Sequence, residues 1–194
     1  MVQKSTCAKF LATPMIEREV KLRFNAPEEA RAAILAAGAS PLRERRLQED
    51  ALFDTDDESL QAQRSALRLR TDAGKSLLTF KGPVAPDTMK VRDEHETEVG
   101  NREVMTQVLE ALGFHIWFRY EKYREEYAAA TVTVALDETP VGTFVEIEGD
   151  EHGILKMTRA LGRTEDDFIL SSYRRLFVRH REEYGLGTDM LFRV

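Results

Sequence analysis

The chain has 194 residues, 42% of them hydrophobic and 32% charged, with a formal net charge of −6. That length suits one domain with a real core, and the acidic balance argues against a nucleic-acid coat, which needs a cationic surface. A lone cysteine, Cys7, excludes an internal disulfide framework and suits a reducing cytoplasm, while no apolar run is long enough to span a membrane.

The opening "MVQKSTCAKFLATP" lacks the continuous apolar centre of a secretory signal. Residues 1–14 are expected to be a disordered extension, with Met15 an alternative start, and residues 15–194 a single domain. "MIEREVKLRF" (15–24) then alternates, which predicts a strand with Glu17, Glu19, Lys21 and Arg23 on one face and a largely apolar reverse. In "NAPEEARAAILAAGAS", Asn25 is the expected helix cap, Pro27 opens the first turn and Gly38 closes the helix. Extended segments follow at 45–55, 65–70, 76–82 and 91–99, the middle two joined by the turn "TDAGK".

"NREVMTQVLEALG" predicts a second helix, capped by Asn101 and ended by Gly113. Strands return at 117–127, 131–136 and 142–149, and the last two are parted by the turn "DETPVG". "DEHGILKMTRALG" and "DDFILSSYRRLFVRHREEYG" predict two closing helices. Eight strands joined partly as hairpins, with helices between and after them, make an α+β protein with antiparallel pairing.

The strands share one pattern. Arg68 and Arg70 lie opposite Leu67 and Leu69, Thr79 and Lys81 opposite Leu78 and Phe80, and Glu146 and Glu148 opposite Val145 and Ile147. Lys122 and Arg124 alternate in the same way, and Arg92, Glu94, Glu96 and Glu98 share a face. An ordinary antiparallel sheet with one wet face explains each strand singly. The polar faces, however, carry charges grouped into acid pairs (17/19, 94/96, 146/148) and basic pairs (68/70, 122/124). Carboxylates two apart on a strand suit a hard divalent cation, and Arg or Lys from neighbouring strands suits a polyanion, so a closed sheet would hold both sets inside.

In order, Glu17-x-Glu19-x-Lys21, "LQEDALFDT", "ALRLR", "LLTFKGP", "RDEHETEV", "KYREEY" and "VGTFVEIEG" resemble the CYTH superfamily, the triphosphate tunnel metalloenzymes, over roughly residues 15 to 175. The resemblance implies an eight-stranded antiparallel β-barrel with flanking helices, forming a tunnel lined by charge. It assigns Glu17, Glu19, Glu94, Asp137, Glu146 and Glu148 to a Mg²⁺ or Mn²⁺ site, with Glu96 extending the Arg92–Glu94 pair. It assigns Lys21, Arg68, Arg70, Lys81, Arg92, Lys122 and Arg124 to phosphate oxygens, the first four as catalytic groups.

The implied function is metal-dependent hydrolysis of inorganic or thiamine triphosphate by a water. The alternatives are a class IV adenylate cyclase, which makes cyclic AMP and pyrophosphate from ATP, and a non-catalytic polyphosphate or nucleotide-binding module. The expected setting is a cytoplasmic monomer or homodimer with a small-molecule triphosphate as partner, no nucleic acid and no membrane. Trp117 and Phe118 read as packing residues, and "AGKS" (73–76) is no P-loop, since Leu69 stands where that motif needs glycine. His95, His115, His152 and His180 lack metal-ligand spacing, and Cys7 lacks a partner base. The last helix reads as a packing helix on which Tyr173 faces substrate, or Arg174 or Arg175 plugs the tunnel.

Overall fold

The computed structural model describes residues 15–193, so the expected N-terminal extension and Cys7 lie outside it. Its strands are β1 (Met15–Phe24), β2 (Ser40–Thr55), β3 (Ala66–Asp72), β4 (Lys75–Lys81), β5 (Lys90–Val99), β6 (Phe114–Ala129), β7 (Val132–Thr139) and β8 (Gly142–Gly149). The helices are α1 (Pro27–Ala36), α2 (Ser59–Ala62), α3 (Arg102–Ala111), α4 (Glu151–Ala160) and α5 (Tyr173–His180). The strands pair antiparallel in the closed order β1-β5-β4-β3-β2-β6-β7-β8, and β8 pairs back onto β1.

Closure explains the alternating strands. A strand with one charged and one apolar face must bury the apolar face, and here that face is the outside of the barrel. Val20, Leu22 and Phe24 of β1 join Val132, Val134 and Leu136 of β7 and Val145 and Ile147 of β8 in one apolar layer. Ala30 and Ile34 of α1 and Ile154 and Met157 of α4 cover it. Truncating Ile34 or Ile154 to Ala would cost about 2–5 kcal/mol, because both are wholly buried. A smaller layer places Leu109 and Met105 of α3 over Ala51, Phe53 and Leu69.

Turn chemistry holds the register. Ala73 and Gly74 both have positive φ (50° and 80°) between β3 and β4, the twist-matched geometry of a two-residue hairpin. A Cβ at Gly149 would lie 2.5 Å from the Thr131 carbonyl oxygen, so only glycine lets the end of β8 pass the β6–β7 turn. "AGKS" falls in the β3–β4 hairpin and runs into a strand, which bears out its rejection as a phosphate loop.

Three local expectations need correction. Ala26, not Asn25, occupies the N-cap of α1, because the Asn25 side chain donates to Glu29 instead (3.1 Å). The short α2 was not expected; its first turn is held by Asp54, whose carboxylate accepts the Leu60 and Gln61 N–H groups. The long closing helix is broken into a 3₁₀ turn (Glu165–Asp167), an extended strap and α5. The strap is fixed by the Ile169 N–H donating to the Lys21 carbonyl (2.8 Å), and Ser172 then caps α5 by accepting from the Arg175 N–H. By contrast, the Asn101 side chain caps α3 as expected, accepting from the Val104 N–H (2.8 Å).

Candidate functional site

Register places opposite charges face to face inside the barrel. Arg124 lies across from Asp137 on the β6–β7 ladder, Lys21 from Glu146 on β1–β8, Arg92 from Glu17 and Lys90 from Glu19 on β1–β5, and Lys81 from Glu94 on β4–β5. Cross-strand neighbours of this kind have Cβ atoms roughly 5 Å apart, so each ladder converts an alternating sequence into a row of ion pairs.

Asp137 is the most enclosed acid, with no solvent exposure. It accepts from Lys122 Nζ (2.8 Å), Arg124 Nε (2.7 Å) and the Tyr173 hydroxyl (2.7 Å). Burial alone would raise its carboxyl, but Arg124 and Lys122 hold it below the usual carboxylate range. Glu146 beside it is bonded by Arg124 and by Lys21 Nζ (3.0 Å). It too is held well below its ordinary value against burial, by Lys21, Lys122 and Arg124. Burial, with Arg124 alongside, pulls Lys122 down to about 8 despite both acids. Lys21 moves the other way: burial would lower it, but Glu146 and Glu19 raise it.

A second group surrounds Asp50, whose carboxylate accepts from Arg70 Nε (2.9 Å) and Nη2 (3.2 Å), with Arg68 Nε at 3.5 Å. Arg68 also donates to the Thr79 hydroxyl (3.2 Å), and Thr79 in turn donates to Glu96 (2.8 Å). A third group has Lys81 bonded to Glu17 (2.6 Å) and Glu94, Arg92 Nε donating to Glu17 (2.9 Å), and Lys90 bonded to Glu19. Glu148 stands directly across from Glu19. Burial, then Glu17 and Glu19, push its carboxyl up to about 7.

One end of this interior is filled. Tyr173, Leu176 and Phe177 of α5 pack with Phe118, Tyr120 and Phe144, which share the inward-facing parity of β6 and β8. The Tyr173 ring lies 4.2 Å from Lys21 Nζ and 5.0 Å from Lys122 Nζ, so the helix that closes the barrel also reaches its charged centre. The expected alternative of Arg174 or Arg175 as the plug is corrected: Arg175 is exposed, and Arg174 lies against the rings of Trp117, Phe118 and Phe177. Phe118 is core and Trp117 packs against it, as read from the sequence.

The structure thus brings Glu17, Glu19, Lys21, Arg68, Arg70, Lys81, Arg92, Glu94, Lys122, Arg124, Asp137, Glu146 and Glu148 to a common set of inward ladders. Arg23 leaves that set, being exposed and bonded to the Tyr184 hydroxyl (3.0 Å). Glu98 pairs with Lys75 at the surface (2.8 Å). The sequence reading missed Asp50, Lys90 and Tyr120. All three carry a signal, since each lies two residues from an inward group: Asp50 from Gln48, Lys90 from Arg92, Tyr120 from Lys122.

Among the described residues, no three acid, His or Cys side chains already surround one point in ligating positions. The donor chemistry nevertheless fits a hard divalent cation. Two like charges opposed on a ladder are destabilising, and Glu19 and Glu148 are so opposed, with Glu17 on the same face. A cation between them would relieve that repulsion.

The CYTH domain family profile matches residues 15–168. A Methanocaldococcus jannaschii protein, provisionally named an adenylate cyclase, is 27% identical over 173 residues, which is 84% of this chain and 98% of that protein. A solved Pyrococcus horikoshii structure aligns with a TM-score of 0.72 at 28% identity, covering 85% of this chain and 99% of its own. A Hippeastrum protein, provisionally named an adenylyl cyclase and reported to have a dominant triphosphatase activity, aligns with a TM-score of 0.62 at 20% identity, covering 84% of this chain and 95% of its own. With its closed eight-stranded antiparallel barrel and this profile match over most of its length, the chain belongs to the CYTH domain family.

Proposed function

We propose that the protein is a metal-dependent triphosphatase acting on inorganic or thiamine triphosphate. The observation that carries this reading is the convergence of Lys21, Arg68, Arg70, Lys81, Lys90, Arg92, Lys122 and Arg124 from five strands inside one closed barrel. Fixed cations around a polyphosphate stabilise the charge that develops as a phosphoryl group is transferred, and they need no reorganisation to do so.

Glu17, Glu19 and Glu148, with Glu94 beside them, would hold Mg²⁺ or Mn²⁺. When bound, that ion withdraws charge from phosphoryl oxygens and favours attack by water. Arg68 and Arg70, aligned by Asp50, grip the phosphate chain, and Lys81 and Arg92 turn from Glu17 toward it. Asp137 and Glu146 aim Lys21, Lys122 and Arg124, and Tyr173 fixes Asp137 from the closed end. Burial and Arg124 bring Lys122 down to about 8, a range in which it can give up or take a proton near neutral pH.

The aromatic groups at the plugged end support hydrolysis over cyclisation. Phe118, Phe144 and Tyr173 pack on one another and on Phe177, which leaves their faces engaged instead of free for an adenine. The name given to the archaeal relative favours the second reading, a class IV adenylate cyclase. One assay separates the two. The pure protein is incubated with inorganic triphosphate, thiamine triphosphate or ATP, each with Mg²⁺ or Mn²⁺, and phosphate, pyrophosphate and cyclic AMP are resolved. Phosphate release from either of the first two substrates supports the reading. Cyclic AMP with stoichiometric pyrophosphate replaces it, and saturable binding without any product reduces the protein to a binding module.

A further inference from the structure

Outside the barrel, α5 and α2 flank a second, strongly basic pocket. It has a volume of about 490 Å³ and is lined by Gln61, Ser171, Arg174, Arg175, Val178 and Arg179. Arg174 and Val178, like Arg175 and Arg179, stand four residues apart on α5, so all four share one side of the helix. The Ser171 carbonyl faces Lys21 of the tunnel at 3.4 Å, so the strap separates the two compartments.

These arginines differ from those in the barrel. Arg46, Arg68, Arg70, Arg92 and Arg124 all have carboxylate partners. Among the described residues, Arg174, Arg175 and Arg179 have none within ion-pair distance. The Arg174 guanidinium lies 5.0–5.8 Å from the ring centres of Trp117, Phe118 and Phe177, and its Nε and Nη1 are shielded from water without a hydrogen-bond partner. Holding a cation there without an anion is costly. Burial and the neighbouring Arg181 pull Arg174 below its ordinary range, and Asp189 offsets them only in part.

We propose that this pocket is an anion site for a phosphate chain, pyrophosphate or longer, distinct from the tunnel. The exposed guanidinium groups of Arg175 and Arg179 match the several oxygens of such a ligand, since the planar fork of arginine pairs two donors with two phosphate oxygens, and Arg174 adds its charge. Ser171 and Gln61, which line the same pocket, carry neutral hydrogen-bonding groups. Arg175 and Arg179 stand just over one helical turn apart, a spread that suits a phosphate chain better than a lone phosphate. This assignment stands whether or not the tunnel is catalytic.

Trp117 is the only tryptophan of the chain and its ring centre lies 5.4 Å from the Arg174 guanidinium, so its fluorescence reports on the pocket through Arg174. Inorganic pyrophosphate is titrated into the full-length protein in EDTA, with citrate as a carboxylate control. Three proteins are compared: wild type, Arg175→Ala/Arg179→Ala (both residues exposed), and the tunnel variant Arg92→Gln. The expected result is a saturable Trp117 response in wild type and Arg92→Gln, at least about tenfold weaker in the double variant, with citrate binding much more weakly than pyrophosphate. Tripolyphosphate turnover by the double variant stays at the wild-type level. Any of three results overturns the proposal: no saturable response, equal affinity in the double variant, or a response lost in Arg92→Gln and kept in the double variant. Equal binding of citrate overturns the phosphate assignment. Should the double variant fail to fold, Arg179→Ala alone is held to the same criteria with an expected weakening of about threefold.

Discussion

Glu148→Gln tests the assignment of the metal-binding acids through pH. In the wild-type protein, burial and the facing Glu17 and Glu19 place the Glu148 carboxyl at about 7. Protons therefore compete with a divalent cation for this group across the neutral range. With a pKa of about 7 the carboxylate is roughly 9% ionised at pH 6 and roughly 91% ionised at pH 8, so Mn²⁺ affinity should rise about tenfold between them. Glu148→Gln removes that proton and the dependence with it, leaving a weaker but flatter affinity. The stability of the metal-free protein moves in the opposite sense. Because the folded carboxyl holds its proton more tightly than an unfolded one, its contribution is complete below the ordinary glutamate pKa and is lost as pH rises to about 7. Thermal unfolding of metal-free wild type should therefore drop from pH 5 to pH 8 relative to Glu148→Gln. Isothermal titration with Mn²⁺ at pH 6, 7 and 8 decides the matter. An affinity that is flat with pH in wild type, or an equal slope in Glu148→Gln, refutes the reasoning.

Other consequences are equally specific. Glu17→Gln should abolish metal-dependent turnover of every triphosphate tested, and Glu146→Gln, which releases Lys21 and Arg124, should lower kcat by about 100-fold; steady-state phosphate release measures both. Asp137→Asn leaves Lys122 and Arg124 buried without their shared carboxylate, and urea unfolding should show a loss of about 3–5 kcal/mol. Phe177→Ala opens a cavity in the plug, with an expected loss of about 3–5 kcal/mol and a Tyr173 freed to move, seen as a lowered urea midpoint with an unchanged m-value.

The fold was legible because two chemical patterns repeat along the chain. In β1, Glu17 to Lys21 could face outward or inward on periodicity alone; the apolar partners Val20 and Leu22 needed a cover, and α1 and α4 supply it from outside. Which face turned inward was set by closure, a property of all eight strands together and of no single one. The less legible parts depend on non-local contacts. The strap after Asp167 looks helical by composition, yet its backbone bonds to Lys21, almost 150 residues earlier. Asp50 sits in a run with the apolar Ala51, Leu52 and Phe53, and its task becomes visible only once Arg68 and Arg70 are paired across from it. Arg23 follows the alternation of β1 but lies beyond the charged interior, where Tyr184 is its partner.

The central claim concerns place: a triphosphate inside the barrel, among cations drawn from many strands. A crystal structure with tripolyphosphate and Mn²⁺, the metal located by its anomalous scattering, tests it most directly. The account predicts phosphate density running between Arg68, Arg70, Lys81 and Arg124, with the manganese signal within bonding distance of Glu17, Glu19 or Glu148. Phosphate found solely on the outer surface, with the interior ion pairs unbroken at saturating ligand, would contradict it.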